Sequence, residues 1–181
     1  PRTLDPADWR GDGVLVVAAS RHSATVGQVD ALSRAGADVV SPSIDWFLHD
    51  LRERDPVIAS LRYRLTSSDT VVLTTFGLPD LPGKGPLLTA RLGEAVRKLF
   101  EEVRPTGLVL TGGAVAIAVC EALDAGALHL EGEVQPGIPW GYVVGGIAEG
   151  MPLITKAGGF GGADALVAAV RRLRDEKRRE L

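Results

Sequence analysis

The segment Lys156 to Gly162 combines four glycines with one lysine, a pattern that suits the binding of an anion. It follows the short apolar run 151–155 and precedes an amphipathic segment that begins near Asp164. Backbone N–H groups without neighbouring side chains can approach a ligand closely, and a following helix adds a partial positive charge. Lys156 adds a formal positive charge. These features predict a phosphate or nucleotide site at this loop, with a plain strand-to-helix turn as the alternative.

Two further loops have the same setting. Thr111-Gly112-Gly113 follows an apolar run and precedes an apolar helical segment. Ser20 follows the run Val14 to Ala18, and Thr25 and Gln28 have the spacing of a capping box that starts a helix. In a doubly wound sheet, strand-to-helix loops gather at the carboxyl edge, where ligands bind. We therefore expect the three loops to face one ligand.

The order of hydrophobic runs predicts alternating strands and helices. Predicted strands cover 14–18, 38–41, 70–74, 107–110 and 153–155, with extended pieces near 128–130 and 142–144. Predicted helices cover 25–35, 44 to about 54, 87–103, 114–123 and 164–178. β-Branched runs bounded by helices favour one α/β domain with a mostly parallel, Rossmann-like sheet and helices on both faces. Pro56 and the region 79–86 are predicted to interrupt this pattern as loops.

The composition excludes several classes of protein. A chain of 181 residues with 45% hydrophobic residues and a net charge of −3 predicts one globular domain without a nucleic-acid surface. No apolar run approaches the roughly 18 residues of a membrane span. Cys120 is the single cysteine, which excludes an intramolecular disulfide and suits the cytoplasm. The three histidines are far apart in sequence, so no metal site is predicted.

Familiar phosphate-binding patterns are absent from the sequence. The stretch Gly77 to Lys84 fails the Walker spacing, and no Gly-x-Gly-x-x-Gly follows the first predicted strand. The segment 83–85 is interpreted as a surface loop, with a lid over the nucleotide as the alternative.

Three segments occur in an order that carries a resemblance: 108–113 (LVLTGG), 132–140 (GEVQPGIPW) and 156–161 (KAGGFG). Together with Ser20 and the pair Thr25 and Gln28, they resemble the C-terminal nucleotide-binding domain of the four-carbon acid sugar kinases. That family phosphorylates threonate, erythronate and related acids. The resemblance runs from about Val14 to the last predicted helix.

The resemblance implies ATP or ADP as the ligand, Mg²⁺ as a cofactor, and phosphoryl transfer to a hydroxyl of a sugar acid. Ser20 would contact phosphate through its hydroxyl and amide, Lys156 would neutralise phosphate charge, and glycine amides would line the nucleotide. The implied nucleotide-binding residues are Ser20, Gly112, Gly113, Ala114, Val115, Lys156, Gly158 and Gly159.

The resemblance also implies a two-domain enzyme. Residues 13–181 would be its nucleotide-binding domain, and residues 1–12 a linker or N-terminal extension. The chain begins at Pro1 without methionine, so we expect a processed or excised piece. The family's preceding domain binds the acid and supplies the catalytic base, and no counterpart is found here. The chain alone is therefore expected to be inactive, and a homodimer is a further expectation.

Two departures from the family pattern leave an alternative open. The family usually reads Thr-Gly-Gly-Asp-Thr, whereas Ala114 and Val115 occupy the last two places here. His22 stands where a second serine is common, and it either touches the nucleotide or is a solvated loop residue. Trp140 is expected to pack beneath the site, with stacking on adenine as the alternative. The second functional hypothesis is a non-catalytic nucleotide-sensing or assembly domain with a decayed kinase site.

Overall fold

The computed structural model describes residues 13–48 and 55–179. Its seven strands, β1 to β7, cover Val14–Ala18, Asp38–Val40, Thr70–Thr74, Gly107–Thr111, Ala127–Gln135, Ile138–Val144 and Pro152–Lys156. Its six helices, α1 to α6, cover Ser23–Arg34, Ile44–Leu48, Asp55–Ser67, Gly85–Glu102, Gly113–Ala122 and Ala165–Arg179.

The strands form one sheet in the order β2-β3-β1-β4-β7-β6-β5. The first five strands in this order pair in parallel, whereas β6 pairs antiparallel with both β7 and β5. Every residue of β1, β3 and β4 is buried. Continuous apolar strands of this kind occur where both faces of a parallel sheet are covered. The predicted α/β architecture is confirmed.

Each face of the sheet has its own hydrophobic core. Leu15 and Val17 of β1 point to one face, where they join residues of α2, α3, α4 and α5. Val14 and Val16 point to the other face, where they join residues of α1 and α6. This alternation follows from the two-residue repeat of a strand. Helices therefore cover both faces, as predicted.

Two sequence predictions about local structure need correction. Pro56 was predicted to lie in a loop, but it is the second residue of α3. Proline is tolerated there because amides in the first turn of a helix have no intrahelical partner. The extended pieces near 128–130 and 142–144 belong to the much longer hairpin of β5 and β6. The end of the helix predicted over 44–54, and the predicted linker 1–12, lie outside the described residues.

Candidate functional site

The carboxyl ends of three neighbouring parallel strands are level with one another. Ala18 at the end of β1 pairs with Thr111 at the end of β4, and Thr111 pairs with Lys156 at the end of β7. After β1 the chain crosses to the side of the sheet that holds β2 and β3. After β4 it crosses to the opposite side. The gap between β1 and β4 is therefore a topological switch point, where open α/β sheets bind ligands.

Gly112 brings the first two loops together. Its φ of 102° lies in a region that residues with side chains rarely adopt. A Cβ at this position would lie 3.5 Å from the Cβ of Ser20. The N–H of Gly112 donates to the carbonyl of Lys156 at 2.8 Å, which ties the second loop to the third. Gly112 is also the N-cap of α5, so that helix begins beside Ser20.

The first turn of α5 presents backbone amides that no side chain caps. In the part of the chain that the structure describes, the N–H groups of Gly113, Ala114 and Val115 have no acceptor. Gly113 and Ala114 are exposed, whereas the Val115 side chain is buried in the core. Unpaired amides at the positive end of a helix suit an anion.

Ser20 lies against the third loop as well. A Cβ on Gly158 would overlap Oγ of Ser20 and lie 3.1 Å from its Cβ, so a side chain here would displace Ser20. A Cβ on Gly159 would first meet the imidazole of His22, with Nε2 3.2 Å away. Across residues 13–48 and 55–179, no acceptor pairs with the N–H groups of Gly158 and Gly159. The three predicted loops therefore converge on one edge of the sheet.

Two buried side chains of α1 hold the third loop from within the protein. Thr25 Oγ1 donates to the carbonyl of Gly158 at 2.6 Å. Nε2 of Gln28 lies 2.9 to 3.2 Å from three successive carbonyl oxygens, those of residues 160–162. Both side chains are almost fully buried. Thr25 and Gln28 thus join α1 to a loop that is more than a hundred residues away in sequence.

The predicted capping box at Thr25 and Gln28 is therefore wrong. The N-cap of α1 is His22, whose Nδ1 accepts from the N–H of Ala24 at 3.2 Å. Residues three positions apart also share one face of a helix, and here that face is buried. His22 itself is exposed beside Gly159, so it lies within the candidate site.

Lys156 is buried beneath the third loop. Its side chain is buried, with 3% of the residue exposed. Nζ donates to the carbonyls of Ala157 at 2.8 Å, Gly158 at 3.2 Å and Phe160 at 3.2 Å. Burial lowers the pKa of the Lys156 ammonium from its ordinary value because it removes the charge from water. The ammonium therefore contacts the inner side of the third loop, residues 157–162, which we call the glycine loop.

Arg21 is a residue of this edge that the sequence analysis missed. Its guanidinium pairs with Asp80 at 3.0 Å and donates to the carbonyls of Leu78 at 2.7 Å and Pro79 at 2.8 Å. No local pattern around Arg21 indicates partners more than fifty residues away. A cavity of about 160 Å³ lies beside it, lined by residues that include Ala19, Thr75, Leu88 and Thr89. The connection from β3 to α4 thus adjoins the switch point.

The side chains of Trp140 and Asp164 both contact other side chains of the fold. Trp140 is 8% exposed and lies beneath α6. It is packed in the core, with the Arg172 guanidinium over its ring, 3.7 Å from the ring centroid. Asp164 directly precedes α6, and its Oδ1 accepts from Nε2 of Gln135 at 3.2 Å.

Two features are absent from the residues that the structure describes. Residues 13–48 and 55–179 contain no group of three or more His, Cys, Asp or Glu side chains placed to hold a metal ion. None of the helices described for this chain has both the length and the apolar character that crossing a membrane requires.

Sequence comparisons identify relatives of this chain. Residues 15–166 match the family described as the nucleotide-binding C-terminal domain. A D-threonate kinase of Bordetella bronchiseptica is 35% identical over 169 residues, which are 91% of this chain and 41% of that protein. A D-threonate kinase of Salmonella typhimurium is 35% identical over 177 residues, covering 87% of this chain and 41% of that protein. The chain thus spans about two fifths of the length of these relatives.

Solved structures show the same architecture. A crystal structure from Bordetella bronchiseptica, a domain-swapped dimer with bound citrate, has a TM-score of 0.78 at 35% identity and covers 91% of this chain and 41% of its own. A crystal structure from Haemophilus influenzae has a TM-score of 0.74 at 17% identity, covering 90% and 40%, and supports the fold alone. By its matched residues and its relatives, the chain belongs to the four-carbon acid sugar kinase family and corresponds to that family's C-terminal domain.

Proposed function

We propose that this chain binds ATP or ADP and serves as the nucleotide domain of a kinase that phosphorylates a four-carbon sugar acid. One observation carries the proposal. Unpaired amides at the start of α5 and in the glycine loop converge on Ser20 at the switch point between β1 and β4. Hydrogen-bond donors without a carboxylate among them suit the oxygens of a polyphosphate.

The proposed nucleotide site is formed by eight residues, most of which would present hydrogen-bond donors to the phosphates. The hydroxyl and amide of Ser20 would face one phosphate, and the amides at the N-terminus of α5 would face another. The amides of the glycine loop would complete the enclosure. These residues are Ser20, Gly112, Gly113, Ala114, Val115, Lys156, Gly158 and Gly159. Phosphoryl transfer depends mainly on positioning and electrostatic stabilisation, which fixed amides can provide.

The donors around the switch point fit phosphate better than they fit Mg²⁺. Mg²⁺ prefers oxygen ligands, usually carboxylates and phosphates. The three loops contribute amides, the Ser20 hydroxyl and the exposed imidazole of His22. In the proposed enzyme, Mg²⁺ would therefore be bound by the nucleotide phosphates, where it would neutralise developing charge. Ala114 cannot contribute the carboxylate that the family pattern usually places there.

The acceptor substrate belongs to the proposal for the longer protein. The named relatives are D-threonate kinases, and this chain spans about two fifths of their length. We propose that residues 13–181 are the nucleotide domain, that residues 1–12 are a linker or extension, and that a preceding domain binds the sugar acid. We place the enzyme in the carbohydrate metabolism of the cytoplasm.

A second function is favoured by Ala114 and Val115. These residues replace an Asp-Thr pair that could help hold a magnesium–phosphate complex. A domain that has lost this pair could bind nucleotide for sensing or assembly without transferring phosphate. Replacing both residues in the longer protein (Ala114→Asp, Val115→Thr) separates the two functions. A large gain in turnover favours a decayed site, whereas unchanged turnover favours a site that works without the pair.

We also propose a homodimer. The nine residues of β5 form an edge strand of the sheet, and Leu130 on this strand is 60% exposed. An exposed edge strand offers backbone groups to a second chain. The related Bordetella structure is a domain-swapped dimer. Light scattering coupled to size-exclusion chromatography measures the mass, and a monomer at all concentrations would contradict this assembly.

Calorimetric titration of the chain tests the nucleotide site directly. We expect Mg-ADP to bind more tightly than adenosine, because the amides contact phosphate. Equal affinities for Mg-ADP and adenosine would show that the phosphates contribute little to binding. No binding of Mg-ADP at millimolar concentration would contradict the proposal for this chain.

A further inference from the structure

The ammonium of Lys156 is surrounded by oxygen atoms of neutral groups. Three of them are the carbonyls of Ala157, Gly158 and Phe160, at 2.8, 3.2 and 3.2 Å. The fourth is Oγ1 of Thr25, at 3.5 Å. Within the residues that the structure describes, no carboxylate forms an ion pair with Lys156. The positive charge is therefore stabilised by backbone dipoles.

This environment leaves Lys156 no proton for a phosphate. A lysine ammonium has three N–H groups, and three carbonyls lie at hydrogen-bonding distance from Nζ. To contact a ligand directly, it would have to leave these carbonyls and its buried position. A ring of carbonyl oxygens that replaces water around a monovalent cation is also how proteins coordinate K⁺.

We propose that Lys156 is a positioning residue, a covalently attached monovalent cation that orders the glycine loop and does not itself contact phosphate. Its ammonium draws the carbonyls of Ala157, Gly158 and Phe160 toward the protein interior. In a trans peptide the C=O and the following N–H point in opposite directions. The N–H groups of Gly158, Gly159 and Gly161 are thereby turned away from Nζ, toward the ligand.

Two neighbours support this arrangement. Thr25 donates to the carbonyl of Gly158, and the two N–H groups of Gln28 Nε2 are shared among the carbonyls of residues 160–162. Five of the six carbonyls from 157 to 162 thus accept from Lys156, Thr25 or Gln28. The described residues provide no acceptor for the N–H groups of Gly158, Gly159 and Gly161. Adjacent free amides such as those of Gly158 and Gly159 can form a concave anion site. The inference depends on the proposed nucleotide function only for the identity of the ligand.

The first experiment observes Lys156 in the unmodified chain by ¹⁵N NMR of the lysine ammonium groups. Without nucleotide, we expect one Nζ resonance whose protons exchange slowly with water. If this resonance is missing from the spectrum of the Lys156→Met variant, it belongs to Lys156. The resonance should persist when Mg-ADP is added. If the protons of Lys156 exchange rapidly in the free chain and become protected only with Mg-ADP, the ammonium is a phosphate ligand and the proposal is wrong.

The second experiment replaces the attached cation with a free one. Lys156→Met keeps most of the side-chain volume and leaves the position of Nζ empty. In sodium buffer we expect its melting temperature to fall by about 5 °C and its affinity for Mg-ADP to fall at least tenfold. Ammonium or potassium chloride should restore much of both losses, whereas tetramethylammonium chloride at equal ionic strength should not.

Arg171→Met is the matched control, because Arg171 is exposed on α6 and has no proposed role in the site. It removes the same charge and should show neither the loss nor the rescue. An unchanged melting temperature for Lys156→Met, or a loss that ammonium and potassium do not reverse, would overturn the proposal. If the unmodified chain fails to bind Mg-ADP, the proposed function fails, while the NMR and melting measurements still decide the role of Lys156.

Discussion

Thr25 and Gly158 are joined by a 2.6 Å hydrogen bond between the hydroxyl of one and the carbonyl of the other, across 133 positions of sequence. Thr25 is fully buried, and the Gly158 carbonyl accepts from this hydroxyl and from Lys156. The bond connects the helix after β1 with the loop after β7. Stability and ligand binding should therefore be coupled at this pair.

Replacing Thr25 with valine tests this coupling. The change keeps the shape of the side chain but removes the donor, leaving the half-buried Gly158 carbonyl with one partner fewer. We expect a loss of about 1–3 kcal/mol in the free energy of unfolding, measured by urea denaturation, and weaker binding of Mg-ADP. Thr25→Ser retains the hydroxyl and should lose less. A valine variant as stable as the parent chain would show that the bond contributes little.

Gly158 and Gly159 should respond differently to added side chains. Gly158→Ala places a methyl group against Ser20, so we expect a lower melting temperature. Gly159→Val meets the exposed imidazole of His22, which can move, so the fold should persist while the side chain obstructs the ligand. Thermal melting and Mg-ADP titration of both variants measure the two effects. If Gly159→Val melts far below the parent chain but binds normally, Gly159 has only a turn role.

Ala114→Asp adds a carboxylate to the exposed first turn of α5. A negative charge at a helix N-terminus stabilises by about 0.3–1 kcal/mol, so the melting temperature should rise slightly. The same charge should weaken the binding of ADP without Mg²⁺, and adding Mg²⁺ should reverse the loss. Ala114→Asn is the control, because it adds a similar volume without the charge. Equal ADP affinity of both variants in EDTA would place the phosphates away from α5.

Burial raises the pKa of the Cys120 thiol above its ordinary value of 9.0. Less thiolate is present at neutral pH, so iodoacetamide should react more slowly with the native chain than with the urea-unfolded chain. The raised pKa also has a consequence for stability. The native state retains this proton at a pH where the unfolded state loses it, so stability should fall as the pH rises above 9.0 through the native pKa. Cys120→Ser should show less of this decline, and equal alkylation rates in both states would contradict the assignment.

Kinase activity should require more than these 181 residues. Phosphoryl transfer needs the acceptor hydroxyl in line with the γ-phosphate and a group that accepts its proton. The converging loops offer amides, one hydroxyl and one exposed imidazole, and no carboxylate pair. We expect no ATP-dependent phosphorylation of threonate or erythronate by this chain, and turnover by a longer protein that includes the acid-binding domain. Comparable turnover by both would require a catalytic base within this chain.

Local patterns predicted the sheet and the three loops well, because β-branched runs and glycine clusters report on local backbone preferences. The same patterns could not show where long side chains point. Lys156 was expected to neutralise phosphate charge, which stays a prediction, and the local pattern gave no sign that its ammonium lies under the loop beside α1. The spacing of Thr25 and Gln28 suits both a capping box and a shared helix face, so sequence alone could not choose between them. Whether the predicted residues bind nucleotide remains a prediction.

The paired positions of Ala18, Thr111 and Lys156 determine how the site is built. Adjacent strands are about 4.8 Å apart, so the starting points of the three loops are separated by backbone hydrogen bonds that side-chain replacement does not alter. The distance across the ends of β1, β4 and β7, about 10 Å, is thus a property of the sheet itself. Substitutions in the loops would change the groups that surround the proposed ligand, while the spacing of the three strands stays constant. Loop sequences can therefore diverge in this domain while the spacing of the three loop origins is kept.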